Sequence, residues 1–467
     1  MIVIIWLHVF VEKIDLKSFK GELKMRRLHT SFLFTCLAIL IVSPILAMAE
    51  NWPSWRGPNS NGVSIETGIS TRWTKTENVS WRVPLPGPAG STPIIWEDRI
   101  FLTSASENED DLLLICLNSS GEKLWQKKLG SGNRNARGNE GNCASPSPCT
   151  DGKYVWAYVS TGHIGCYDFE GNEIWKGNLE KWYGTFDLYF VMSSSPIVDG
   201  DRLYLQLNHS NLSLLDEDAE QKRKEDQKSV GLLIALNKMT GEEIWVHERL
   251  SDAHSECEHS YASPVLYRDD KQEFIVVHGA DYVSGHRLTD GSEIWRCGGF
   301  NSKARYNPSL RFVATPAIIP GLIVVPSAKN GPVIGLSPSA IGRITEQSDS
   351  HLWKRSDNTP DVPSPLIHDG LVYLCRENGV LICMSADTGE EIYQRRTHNN
   401  RHRSSPIYAD GKIYLTSRDG LVTVIKAGRN FEVLAKNEIG EEISASPAIA
   451  DGTLYLRSYK ALYAIRN

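Results

Sequence analysis

The chain has 467 residues, with 50 Lys and Arg against 56 Asp and Glu, a formal charge of −6 and 41% hydrophobic residues. This balance offers no global attraction to nucleic acid or anionic lipid, so no nucleic-acid partner is expected. The sequence also lacks a Gly-x-Ser-x-Gly elbow, a Gly-x-x-x-x-Gly-Lys loop, a His-Glu-x-x-His helix and the kinase loop set, which removes the commonest hydrolase, nucleotide-binding and metalloprotease signatures.

The chain begins with an apolar run at residues 2–11 and then charges, before Met25-Arg26-Arg27 opens a second pattern. That pattern has a basic start, an apolar stretch at residues 32–46 and Ala47-Met48-Ala49 ahead of Glu50, the form of a secretory signal with a small-x-small cleavage site. We therefore expect Met25 to be the true start, residues 1–24 an upstream extension and residues 25–49 a signal peptide that exports the protein to the periplasm, cell envelope or exterior. An uncleaved membrane anchor is the alternative, although 15 apolar residues are short for a span. Cys36 lies inside the apolar run, so no lipoprotein cleavage motif is present, and N-terminal sequencing would locate the cut.

Residues 50–78 form a loop segment rich in Pro, Gly and Asn, with Trp52 and Trp55 expected to pack against the body of the fold and ligand stacking as their alternative role. From residue 79 onward a repeat takes over. Its clearest copy is residues 231–248, where the apolar strand Leu232-Leu233-Ile234-Ala235-Leu236 meets a turn at Thr240-Gly241 and returns as Glu243-Ile244-Trp245-Val246, a β-hairpin. The same unit recurs at residues 112–128, 164–177, 283–297 and 381–396. Upstream of each copy a Ser-Pro or Thr-Pro step opens an apolar strand, commonly followed by Asp-Gly and an aromatic strand. These steps fall at Pro93, Pro146, Pro196, Pro264, Pro316, Pro365, Pro406 and Pro447, a repeat interval in the range of solenoids and propellers.

Four short strands per copy and eight copies give an all-β, eight-bladed β-propeller of four-stranded antiparallel blades over residues 79–467, with few open edges. Val79-Ser80-Trp81-Arg82-Val83 resembles the last strand of a repeat without a hairpin before it, and the final copy stops before any tryptophan strand. The N-terminal strand should therefore complete the eighth blade and close the ring. Residues 215–229, a dense mixed-sign charge run inside the third blade, read as a solvated loop or short helix. Cys116, Cys166 and Cys383 occupy a repeat position that holds Ala235, Gly285, Gly335 and Ala464 elsewhere, so they read as small buried thiols. Cys143 and Cys149 flank a Ser-Pro-Ser-Pro segment and are the one candidate disulfide.

In a propeller the segments that lead into the innermost strands converge on the mouth of the central channel. Those segments supply Arg134, Arg137, Glu140 and Asn142; then His254, Glu256, Cys257, Glu258, His259 and Tyr261; then Arg305, Tyr306 and Arg311; then His398, Arg401, His402 and Arg403. The candidate ligand or partner contacts are Arg134, Asn142, His254, His259, Tyr261, Arg305, Arg311, Arg401, His402 and Arg403. His254 to His259 has metal-ligand residue types but no recognised spacing, so polar lining is preferred there; residues 395–403 read first as a solvated connection, with arginines able to grip an anionic group as the alternative. No catalytic or metal-binding residue is assigned.

The Ser-Pro opening, the Asp-Gly turn and the Ala-Leu-Asn-x-x-Thr-Gly-Glu-x-x-Trp hairpin at residues 235–245 resemble the pyrroloquinoline quinone (PQQ) repeat family of eight-bladed propellers, over nearly the whole chain beyond the signal. That resemblance implies one of two classes. One is the quinoprotein dehydrogenases, which oxidise alcohols or sugars with PQQ and calcium, many with an adjacent-cysteine disulfide over the cofactor. The other is the non-catalytic BamB-like propellers of the outer-membrane barrel-assembly machinery. The chain has no adjacent cysteines, and no calcium-binding pair or catalytic Asp can be matched. The expectation is therefore an exported, monomeric, non-enzymatic scaffold without a cofactor, binding a protein partner or small ligand through one face. A PQQ- and calcium-dependent oxidoreductase and a carbohydrate-binding propeller are the alternatives.

Overall fold

The computed structural model describes residues 50–136, 140–186, 188–209, 229–328 and 331–467. The signal segment, Arg137 and all but the last residue of the charged run lie outside them. Eight antiparallel sheets follow one another along the chain. Blades 1 to 7 span residues 94–130, 149–178, 197–251, 265–298, 317–355, 366–396 and 407–438, and blade 8 joins residues 448–465 to Val79–Pro84. Among the described residues no helix is long and apolar enough to cross a membrane.

The Ser/Thr-Pro steps have a physical reason. Proline lacks an N–H and so sits without loss at the entry of a strand, while the residue before it builds the inner ring. The Thr92 N–H donates to the Ser147 hydroxyl at 2.9 Å, Ser147 to Ser195 at 3.0 Å and Ser195 to Ser263 at 2.8 Å. Ser263 donates to Thr315, Thr315 to Ser364 and Ser364 to Ser405, each at 2.9 Å, and Ser405 to Ser446 at 3.0 Å. The Thr92 hydroxyl closes the circle by donating to the Ser446 carbonyl at 3.1 Å. This ring corrects the sequence reading of blade 2. Its step is Ser147-Pro148, immediately before Cys149–Thr150, and not Ser145-Pro146.

The outer strands carry the blade-to-blade dock. Trp125 Nε1 of blade 1 donates to the Phe169 carbonyl in the hairpin of blade 2 at 2.8 Å, and Trp175 likewise reaches Lys238 of blade 3 at 2.8 Å. The turn glycine lies under the indole. Gly171 has φ +83°, and a Cβ there would come within 2.9 Å of Trp125, so only glycine satisfies both conformation and space. Across its own blade each tryptophan faces the small-residue position, with Trp125 opposite Cys116, Trp175 opposite Cys166 and Trp295 opposite Gly285. A Cβ on Gly285 would meet Trp295 at 2.4 Å, which is why Cys, Ala and Gly alternate there. The cysteines are buried free thiols, and burial pushes Cys116 and Cys166 up to about 12. Cys143 and Cys149 are also free and buried, so the candidate disulfide is not formed.

Closure is as the sequence indicates. Val79–Pro84 pairs antiparallel with Ala461–Ile465, placing Trp81 opposite Ala464, and Trp81 Nε1 docks on the Ser119 carbonyl of blade 1 at 2.8 Å. Blade 4 departs from the four-strand pattern. Gly342–Ile344, from the connection between the third and fourth strands of blade 5, adds to its outer strand in parallel. It pairs alongside Trp295, the tryptophan of that blade.

Candidate functional site

Each first strand starts at the hydroxyl ring and ends at a turn on the opposite face. That opposite face is plugged by the N-terminal segment. Trp52 and Ile95 exchange backbone hydrogen bonds of 2.8 and 2.9 Å, Thr150 N–H donates to the Pro53 carbonyl at 2.9 Å, and Tyr408 exchanges bonds with Gly62 and Ser64 at 2.8 and 2.9 Å. The Glu66 carboxylate caps the Asp451-Gly452 turn of blade 8 at 3.0 and 2.7 Å. Trp52 is fully buried. Trp55 points into the channel and lines the same cavity as the mouth loops.

That cavity has a volume of about 160 Å³. Its wall is the serine ring, topped by Glu140, Phe190, Tyr261, Arg311 and Arg403 and closed on the plug side by Trp55. Two ion clusters frame the mouth. Glu140 is bound by Arg401 and Arg403, both at 2.7 Å, with Arg418 at 3.6 Å. Arg311 reverses the ratio and bridges Asp361 at 3.1 Å and Glu256 at 3.4 Å, with its guanidinium 4.6 Å from the Phe190 ring centroid. Burial lowers the Arg403 pKa, and Glu140 works against that shift.

The candidate residues separate into three groups. Tyr261, Arg311 and Arg403 line the cavity, and Arg401 reaches its rim through Glu140. His259, His402 and Asn142 are buried supports. His259 hydrogen-bonds the Tyr261 hydroxyl at 3.2 Å, His402 Nδ1 pairs with the Asn400 carbonyl at 3.0 Å, and the Asn142 amide donates to the Pro88 carbonyl at 2.7 Å. Burial holds His402 neutral, with its pKa pulled down to about 4. Arg134, His254 and Arg305 are exposed and outside the cavity lining. His254 stacks on Tyr306 with ring centroids 3.8 Å apart, so the His254–His259 loop does not gather as a ligand set. The strongest lining features missed by the candidate set are the serines themselves, legible as repeat marks but not as a site. Glu140 was in view among the loop residues, whereas Asp361 follows a Pro and carried no repeat signal.

A model of the family described as outer membrane protein assembly factor BamB, a PQQ repeat model, matches residues 114–360 and 337–430. The chain belongs to this PQQ repeat family. Among solved structures the fold is similar to BamB from Moraxella catarrhalis, with 12% identity, a TM-score of 0.58 and coverage of 83% of this chain and 96% of that one. It is also similar to the quinohemoprotein alcohol dehydrogenase from Comamonas testosteroni, at 11% identity and a TM-score of 0.64, covering 89% of this chain and 80% of that one. A europium-containing methanol dehydrogenase gives 11% identity and a TM-score of 0.62 over 88% and 90% of the two chains. No curated protein sequence matches. At these identities the structural likenesses share a PQQ-type propeller and carry nothing further. A second polar cluster, His247, His286 and Glu293, lies between blades 3 and 4. Two of its members are already engaged, Glu293 by Arg296 at 2.6 Å and His286 Nε2 by the Ser284 hydroxyl at 2.8 Å.

Proposed function

We propose that this protein is an exported, non-enzymatic propeller that binds a partner or small ligand at the channel mouth. The observation that carries this reading is the state of the mouth carboxylates. Glu140, Glu256 and Asp361 are each ion-paired to arginine, and His402 is buried and neutral. Of these groups Glu140 alone lines the cavity, and its carboxylate is held by Arg401 and Arg403 rather than left free to take up a proton, as general acid–base work requires.

A quinone-dependent oxidoreductase is the alternative. PQQ is a tricyclic polycarboxylate, and when bound in a dehydrogenase it accepts the electrons of alcohol oxidation. A cavity of about 160 Å³ is small beside the roughly 300–1,000 Å³ of pockets for drug-sized ligands, and the Trp55 and Phe190 side chains line it. A cavity of this size favours a ligand smaller than that cofactor. The test is a titration of the mature protein with PQQ and calcium, followed by absorbance, thermal melting and dye-linked oxidation of alcohols and sugars. No melting shift and no turnover are expected. Saturable binding that raises the melting temperature, with turnover, would overturn the scaffold reading in favour of an oxidoreductase.

A further inference from the structure

Two buried arginines touch the inner ring without a carboxylate. Arg56 is 2% exposed, and among the described residues its guanidinium donates to the Asn61 and Pro365 carbonyls alone, both at 2.8 Å. Arg457 is 1% exposed and donates to the Ser91 carbonyl at 2.9 Å. Pro365 follows ring residue Ser364, and Ser91 precedes ring residue Thr92, so both cations lie against the hydroxyl circle. Burial pulls each down to about 9, still protonated at neutral pH. Buried cations without a counter-charge are strongly unfavourable. With Arg311, Arg401, Arg403 and Arg418, six arginines among the described residues bear on the ring and its lining, beside the carboxylates of Glu140, Glu256, Asp361 and Glu377.

The ring supplies matching donors. Ser147, Ser195, Ser263, Ser364, Ser405 and Ser446 all line the cavity. Each hydroxyl oxygen accepts the backbone N–H from the preceding blade, and its own proton has no acceptor among the described residues. Arg403, 9% exposed, also lines the cavity and leaves its Nε unpartnered. O–H and guanidinium donors around a small cavity are the groups that hold an oxyanion.

We propose that the cavity at the serine ring binds a small oxyanion, a phosphate or a short carboxylate, through the serine hydroxyls and Arg403. This rests on the reading of the mouth as the binding face and names the chemistry of its small ligand. A volume of about 160 Å³ has room for an ion of this size.

The test is isothermal titration of the mature protein, in a buffer free of phosphate and carboxylate, with inorganic phosphate and separately with acetate. Saturable one-to-one binding of at least one anion, together with a rise in melting temperature, is expected, and the stronger of the two identifies the source. The double variant Ser364→Ala/Ser405→Ala should weaken binding at least tenfold. Absence of saturable binding by either anion, or unchanged affinity in a folded double variant, would overturn the proposal. Should that variant fail to fold, a wild-type crystal soaked in selenate decides: an anomalous peak inside the ring is the expected result, and peaks only elsewhere, or none, refute it. Competition with PQQ separates the two readings. PQQ turnover inhibited by phosphate would remove the non-enzymatic reading and leave the oxyanion site standing, whereas failure of both phosphate and PQQ to bind would remove the site and leave the scaffold.

Discussion

At the mouth of the channel Arg311 and Arg403 are neutralised by Asp361, Glu256 and Glu140, while at the plugged end Arg56 is buried against backbone carbonyls alone. The two ends also differ in what secures them. The mouth is assembled from loops of different blades, joined by side-chain ion pairs. The plug is one continuous segment, knitted by backbone bonds to blades 1, 2 and 7 and by Glu66 to blade 8. One end therefore depends on charge pairing and the other on continuity of the chain, and each should fail in its own way.

The largest effect should come from breaking continuity. Residues 70–86 lead from the plug through the strand that completes blade 8 and docks Trp81 on blade 1. Their deletion opens the ring, exposes the edge of Ala461–Ile465 and uncovers the core cluster it shares with Trp52. We expect loss of cooperative unfolding for the whole propeller, seen by calorimetry. A truncated protein that melts like the intact one would show that the ring closes without this strand.

At the mouth the corresponding break is one of charge. Arg311→Met should remove the arginine from Asp361, whose side chain is 7% exposed, and from Glu256. Removing one partner of a buried pair costs about 3–5 kcal/mol, measurable as a shift of the urea midpoint at constant slope. A change below about 1 kcal/mol would mean that water already reaches these carboxylates.

Acid should distinguish the ends more gently. His402 is fully buried with a pKa pulled by burial to about 4, from 6.5 when free. The open form thus binds a proton that the closed form refuses. The stabilisation is complete above pH 6.5 and is lost as pH falls through about 4, a span worth about 3 kcal/mol for the loop. Residues 50–64 contain no histidine. Amide exchange, corrected for intrinsic rate, should therefore rise at residues 398–405 between pH 7 and 4.5 before it rises in the plug. Equal changes at both ends would contradict the assignment.

These two ends were also unequally legible in the sequence. The propeller, its eight blades and its closing strand could be read because periodic Ser-Pro steps, turn glycines and tryptophans each repeat for a packing reason. Trp125 needs both the small Cys116 opposite and Gly171 beneath it, and such pairs leave a pattern. Blade 2 was misplaced by two residues because Ser145-Pro146-Ser147-Pro148 offers the same step twice, and only the neighbouring hydroxyl at Ser195 decides between them. The mouth was half legible. Arg311 and Arg403 were found from their position ahead of a repeat, but which loop residues turn inward depends on loop conformation, which leaves no period. His254 and Arg305 were candidates on the same grounds and face solvent. The fifth strand of blade 4, Gly342–Ile344, is a short parallel addition without an alternating pattern of its own.

Arg56 offers the smallest expected effect and the sharpest contrast. Replacing it by Met removes two hydrogen bonds to carbonyls, at about 1 kcal/mol each in net terms, but also removes a buried cation that has no counter-charge, and these contributions oppose one another. In anion-free buffer Arg56→Met should lie within about 1 kcal/mol of the parent, against the several lost by Arg311→Met. The isosteric logic is the same in the two variants, a guanidinium exchanged for a flexible apolar chain, so the difference between them isolates the carboxylate partner. If Arg56→Met proved as costly as Arg311→Met in chemical denaturation, the plug would depend on the Arg56 charge itself, and the contrast between a charge-paired mouth and a backbone-knitted plug would be lost.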